Sequence, residues 1–357
     1  MEKRPEEILS EVRGNLGIIT VNRPRALNAL SFEMLQGIDA TLTDFENRDD
    51  VRVVLIRGAG EKGLCAGGDI VSLYKLLETE NYQEGETYFR AEYTLNFRIA
   101  TYSKPVVALM DGVVLGGGIG ISGHASHRVV TEKTRAGMPE TGIGFAPDIG
   151  GLKLLAQAPR ELGTMLAMTG RHINGADALV VGLADYFVPS DRLAHLTEAL
   201  ENAVDAESVA ATISRFTTEP IQSPLAENAF WINTAFAGEN AEKIRDALAQ
   251  QAEEGEEFAA ELSAALRRNS PTAIKTALVG IRLAENASLA ETLNRDFVLV
   301  SNAMHGHDMK EGIRAQVIDK DRNPQWNPAT LEEVSEQDVA RLFEKSTNLS
   351  GLDLQEK

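Results

Sequence analysis

Apolar residues in the first half of the chain fall in short runs punctuated by glycine, and from about residue 205 they recur at helical spacing. Ile8 to Val12 and Leu16 to Val21 are β-rich runs separated by Arg13-Gly14-Asn15, a turn composition, and predict a hairpin. After the loop from Asn22 to Asn28, Ser31 is placed to cap a helix whose apolar positions are Met34, Leu35, Ile38, Leu42 and Phe45. Val51 to Ile56 and Val106 to Met110 read as buried strands, and Arg128 to Thr131 as another. Glycine interrupts this pattern twice, at Gly63 to Asp69 (GLCAGGD) and at Gly116-Gly117-Gly118, where a helix is expected to start and run to Gly123. Strand, glycine turn and helix repeated in this order predict an α/β domain.

Beyond Gly151 the pattern turns helical. Leu162 to Thr169, Gly175 to Gly182 and Arg192 to Val204 read as helices, with only Tyr186 to Val188 extended. An alanine- and glutamate-rich stretch to about residue 304 is divided by Pro220, Pro224, Gly238 and Pro271. A last helix is expected around Val334 to Phe343, and the segment from Leu349 onward is expected to fray.

The 357 residues suit one large α/β domain with an appendage, or two domains. With 53 Asp and Glu against 35 Lys and Arg, formally −18, the average field repels nucleic acid but leaves room for a small phosphorylated ligand. A single cysteine, Cys65, precludes an intrachain disulfide and fits a reducing compartment. Met1 to Val12 has no apolar core and carries acids that a mitochondrial presequence avoids. No apolar run approaches the roughly 18 residues of a spanning helix. A soluble cytoplasmic protein without a membrane partner is therefore expected.

Candidate chemistry concentrates between Leu115 and Gly151. Glu140 and Asp148 lie on a segment broken by Pro139, Gly142, Gly144, Pro147, Gly150 and Gly151, which is neither a long helix nor a regular strand. Two acids on such a loop suggest that one reacts and the other positions. Taken singly, Glu140 reads as a surface acid or a helix cap, and Asp148 equally as a turn former. The three glycines leave backbone N–H groups unshielded for a developing oxyanion, or serve tight strand-to-helix packing; both readings stand. Gly68 is a second candidate donor, and acyl transfer needs two converging donors. Glu92 falls on a helical pattern and by itself reads as a solvated residue. No G-x-S-x-G occurs. Cys65 has no obvious histidine partner and reads as a buried filler. His305-Gly306-His307-Asp308 resembles a metal cluster, but so short a run needs support from ligands elsewhere in the chain, and the glycine spacing does not give G-x-G-x-x-G.

Four blocks, VNRPRALNALS, GLCAGGDI, LGGGIGIS and MPETGIGFAPDIGG, resemble in order and spacing the crotonase (enoyl-CoA hydratase/isomerase) superfamily. SPTAIK at Ser270 to Lys275 and the stretch from Gly306 to Trp326 resemble its 3-hydroxyisobutyryl-CoA hydrolase branch. The resemblance implies a crotonase-like spiral of β-β-α turns over residues 1–190, carrying the CoA and acyl sites. It also implies a mainly helical region over 191–357 that covers the site. It implies an acyl-CoA substrate, hydrolysed as in valine catabolism, with CoA belonging to the substrate and no metal or other cofactor. Gly68 and Gly117 would form the oxyanion hole, and Glu140 and Asp148 would be the catalytic acids. Glu92 would line the substrate pocket, Arg25 would lie near the CoA phosphates, and the carbonyl of Ala66 would meet the adenine. Hydratases carry a second glutamate where this chain has Gly120. An enoyl- or dienoyl-CoA isomerase and a non-catalytic acyl-CoA-binding homologue are the alternatives. Homo-oligomerisation stays open.

Overall fold

The computed structural model describes residues 6–220, 222–347 and 349–356. Among the described residues the strands are β1 (Ile8–Arg13), β2 (Leu16–Val21), β3 (Val53–Gly58), β4 (Gly63–Cys65), β5 (Val106–Met110), β6 (Val113–Leu115), β7 (His127–Val130), β8 (Arg135–Gly137) and β9 (Tyr186–Phe187). Each of the pairs β1-β2, β3-β4, β5-β6 and β7-β8 is followed by helix, so the β-β-α repeat is present in the order of elements. Six strands form one sheet in the order β1-β2-β3-β5-β7-β9, and β4-β6-β8 form a second. The first pair is an antiparallel hairpin, as its turn composition predicts, and β2, β3, β5, β7 and β9 pair in parallel. Every residue of β2 and β5 is buried, which is why both read as continuous apolar runs.

The chain divides into two compact units that interleave in sequence. The first takes the chain up to Gly68, Thr94–Ala136 and Ile173–Ser223; the second takes Asp69–Tyr93, Gly137–His172 and Pro224 onward. Residue 190 thus lies inside the first unit. Its core shows why: Leu16, Ile18, Val53, Leu55, Val107, Leu109 and Val129, alternate residues on one face of the large sheet, pack on Leu196, Leu200, Val209 and Ile213. Those last four lie on the helices Leu193–Leu200 and Ala206–Ser214.

Ser31 caps the helix Phe32–Glu46, accepting from the Met34 N–H at 3.2 Å, and Met34, Leu35, Ile38, Leu42 and Phe45 are its buried face. The helix expected from Gly116 to Gly123 is one turn, Gly117–Gly120. Residues 349–356 of the terminal segment, expected to fray, are anchored: Arg90 donates to the carbonyls of Ser350 and Gly351, and Asn294 exchanges two hydrogen bonds with the Leu354 backbone; Lys357 lies outside the described residues.

Candidate active site

In the first unit the two glycine loops leave neighbouring strands. β4 and β6 pair in parallel, with Cys65 opposite Val114, so GLCAGGD and the three glycines emerge at the same end of one sheet. The approach is close enough that a Cβ on Gly63, at φ +151°, would strike the Val113 nitrogen at 2.1 Å. The three glycines then divide the two readings left open by sequence. Gly116 takes φ 48° to turn the chain, and Gly118 packs so tightly that a Cβ would lie 2.4 Å from the Cys65 carbonyl oxygen. Gly117 is buried between them, and a Cβ on Gly67 would stand 3.7 Å from its nitrogen. Among the described residues no acceptor takes the N–H of Gly117 or of Gly68. A buried donor without an acceptor is costly. Gly117 is buried and Gly68 partly buried, and their unpaired N–H groups on adjoining loops are candidate donors for an oxyanion.

Gly120 ends the same turn. A Cβ there would meet Asn96 Nδ2 at 2.8 Å, so the Asn96 amide fills the space in which a longer residue at 120 would have to begin.

Arg25 and Ala66 both belong to this unit, on segments joined at Leu27. Arg25 is exposed on the turn Pro24–Ala26, with no ion-pair partner among the described residues. The turn is pinned by the buried Asn28, whose Nδ2 donates to the carbonyls of Ala59 and Gly63 and whose Oδ1 accepts from the Arg23 N–H. Leu27 then accepts from the Ala66 N–H at 3.0 Å, while among the described residues the Ala66 carbonyl receives nothing.

The acids gather in the second unit. Glu140 opens the short turn Glu140–Ile143 and is 6% exposed; Asp148 is 5% exposed and Glu92, on the helix Tyr82–Ala100, only 3%. Glu92 is therefore not the solvated residue that its helical pattern suggests. Tyr93, which sequence reasoning passed over, donates its hydroxyl to Asp148 Oδ2 at 2.6 Å. Asp296, also missed, accepts from the Gly150 N–H at 2.8 Å and steadies the loop just past Asp148. That loop is held elsewhere too: Asn269 donates to Thr141 Oγ1, Ser270 N–H donates to the Thr141 carbonyl, and a Cβ on Gly144 would collide with the Asp308 carbonyl at 2.1 Å. C-terminal helices thus fix the geometry of an acid-bearing loop more than a hundred positions earlier.

Burial raises the carboxyl affinities for protons throughout this cluster. Burial pushes Glu140 well above the usual carboxylate range, with further repulsion from Asp148 and Glu92. Burial, then the charge of Asp148, does the same to Glu92. Asp148 rises to about 7 on burial, restrained by the Tyr93 hydroxyl and its own backbone N–H. One oxygen each of Glu92 and Glu140 has no protein partner. Buried carboxyl groups whose proton affinity is raised in this way suit a general base or a nucleophile.

His305, His307 and Asp308 serve the fold. The His305 ring lies 3.9 Å from that of Tyr82, His307 Nε2 meets the Gln325 carbonyl, and Asp308 accepts from Ser270 and from the Asn327 N–H. No group of three or more metal-binding side chains is present among the described residues. Cys65 is buried, with its sulfur against the Gly67 backbone.

The order of its elements defines a mixed α/β scaffold of the β-β-α type. The family model described as enoyl-CoA hydratase/isomerase matches residues 16–343, and the chain belongs to that family. It is 39% identical to the mitochondrial 3-hydroxyisobutyryl-CoA hydrolase of Rattus norvegicus, over 96% of this chain and 90% of the relative. It is 35% identical to 3-hydroxyisobutyryl-CoA hydrolase 1 of Arabidopsis thaliana, over 95% and 92%. Among solved structures, a carnitinyl-CoA dehydratase from Mycobacterium thermoresistibile superimposes with a TM-score of 0.90 at 41% identity, covering 96% of this chain and 98% of that one. An enoyl-CoA hydratase from Rhodobacter sphaeroides gives 0.88 at 36%, covering 95% and 98%.

Proposed function

We propose that this protein hydrolyses a short 3-hydroxyacyl-CoA thioester, of the 3-hydroxyisobutyryl-CoA kind met in valine catabolism, to the free acid and CoA. The observation that carries the choice is at Gly120. A hydratase needs a second carboxylate at this position to add water across an enoyl double bond, and here the Asn96 amide occupies the space in front of it. Glu140 and Asp148 are retained, and the relatives named above as hydrolases run nearly the full length of the chain.

In this reading the N–H groups of Gly68 and Gly117 hold the thioester oxygen as it gains charge. Two routes use Glu140. Its carboxylate attacks the carbonyl carbon, expels CoA thiolate and leaves an anhydride that water cleaves; or it takes a proton from a water whose oxygen attacks directly. Asp148, held by Tyr93, orients the attacking group. Neither route calls for a metal or redox cofactor. Arg25 and the Ala66 carbonyl serve the phosphates and the adenine of CoA, and Glu92 lines the acyl pocket. No helix among the described residues is long and apolar enough to cross a membrane. The lone cysteine favours a reducing compartment, the cytoplasm in our reading, although the rat relative is named mitochondrial. Homo-oligomerisation through the family's shared scaffold is compatible with it.

The second reading, hydration or isomerisation of an enoyl thioester, follows the names of the two solved structures. An acyl-CoA panel separates them. Free thiol should appear with 3-hydroxyisobutyryl-CoA and 3-hydroxypropionyl-CoA, while the ultraviolet absorbance of crotonyl-CoA should persist. Rapid loss of that absorbance without thiol release reverses the assignment. Absence of both, with CoA esters bound, indicates a non-catalytic homologue.

A further inference from the structure

Asn96 is fully buried, and neither its Oδ1 nor its Nδ2 has a hydrogen-bond partner in the protein. Buried side-chain amides are rarely left in this state, because both the donor and the acceptor lose water without compensation. Nothing in the fold requires a polar group here. The amide makes no helix cap and joins no network among the described residues. What it does adjoin is Gly120, at the end of the single turn that begins with the unpaired N–H of Gly117. Residues three apart in a helix lie about one turn apart, so the orphan amide sits one turn from the candidate oxyanion donor.

We propose that Asn96 is a specificity-determining residue that receives the hydroxyl group of the acyl chain. An amide offering both an acceptor and a donor matches a hydroxyl, which donates and accepts at once and rotates to suit. A ketone or a methyl group uses half of the amide or none. Gly120 serves this arrangement by having no Cβ, since the methyl of alanine would displace Nδ2 from its place. The inference rests on the thioesterase reading and adds to it the group that tells a hydroxyacyl ester from its deoxy counterpart.

The test compares kcat/KM for 3-hydroxyisobutyryl-CoA and isobutyryl-CoA in the full-length protein and in Asn96→Leu, Asn96→Ala and Gly120→Ala. The wild type should favour the hydroxylated ester, and each variant should lower that ratio at least tenfold. Thermal melts without ligand add a readout of opposite sign: Asn96→Leu, which replaces the orphan amide with an apolar group of similar size, should melt at or above the wild-type temperature. A ratio unchanged within threefold in Asn96→Ala and Gly120→Ala overturns the assignment. So does a lowered melting temperature with both esters slowed equally, which would mark a structural amide. If the wild type releases thiol from neither ester, the thioesterase reading itself fails and this inference falls with it.

Discussion

Replacing Glu140 with glutamine should lower thioester hydrolysis by about 10³-fold or more while CoA-ester binding stays within a few-fold. The side chain keeps its size, but an amide neither attacks a thioester nor takes a proton from water. The same change should stabilise the protein. Burial holds the Glu140 proton more tightly in the folded chain than in the unfolded one, so the contribution of this group to stability is fully present at low pH. It is lost as the pH rises from the ordinary carboxylate range through the raised folded value. Glutamine does not ionise and escapes that loss. Melting curves should therefore place Glu140→Gln above the wild type at pH 8, with the gap narrowing towards pH 5. Activity within tenfold of wild type would move the chemistry to another residue. A lower melting temperature at pH 8 would mean that the buried carboxylate is compensated by a partner.

Gly117→Val is the second large effect, with an expected loss of about 10²- to 10³-fold in kcat, the range found when one oxyanion donor is removed. The β-branched side chain would crowd the approach to an N–H that has no acceptor of its own among the described residues. Its neighbour supplies the control. Gly118 is the packing glycine, where even alanine would press against the Cys65 carbonyl, so Gly118→Ala should act chiefly on stability. If Gly117→Val instead melts far lower and keeps full activity per folded molecule, Gly117 is a packing glycine as well. Gly68 would then be the sole remaining donor, and the oxyanion hole as drawn would be lost.

Much of the scaffold was legible in the chain because its signals are local. The hairpin follows from Arg13-Gly14-Asn15, the first helix from Ser31 and its apolar spacing, and the two turns after β4 and β6 from their glycines. The acid loop stood out because Glu140 and Asp148 lie among residues that no regular element tolerates well. What stayed hidden depended on partners distant in sequence. A buried glutamate such as Glu92 has the same helical pattern as a solvated one, and only the fold reveals it. Tyr93 and Asp296 acquire their roles from Asp148 and Gly150, 55 and 146 positions away. The terminal segment looked free because its anchors, Arg90 and Asn294, lie about 260 and 60 positions upstream. The interleaved units gave no compositional mark either, since one division falls inside the helix Tyr82–Ala100. The boundary at residue 190, drawn from the resemblance, falls within the stretch Ile173–Ser223 of the first unit.

The central claim is that water reaches the thioester carbonyl and not the carbon chain, and isotope placement tests it directly. Wild-type protein is incubated with 3-hydroxyisobutyryl-CoA in ¹⁸O-enriched water, and both the released acid and the remaining ester are analysed by mass spectrometry. The account predicts label in the carboxylate of the acid, one free CoA thiol for each acid formed, and no label in the unreacted ester. Label entering the 3-hydroxyl of an ester that stays intact would show reversible dehydration and contradict it.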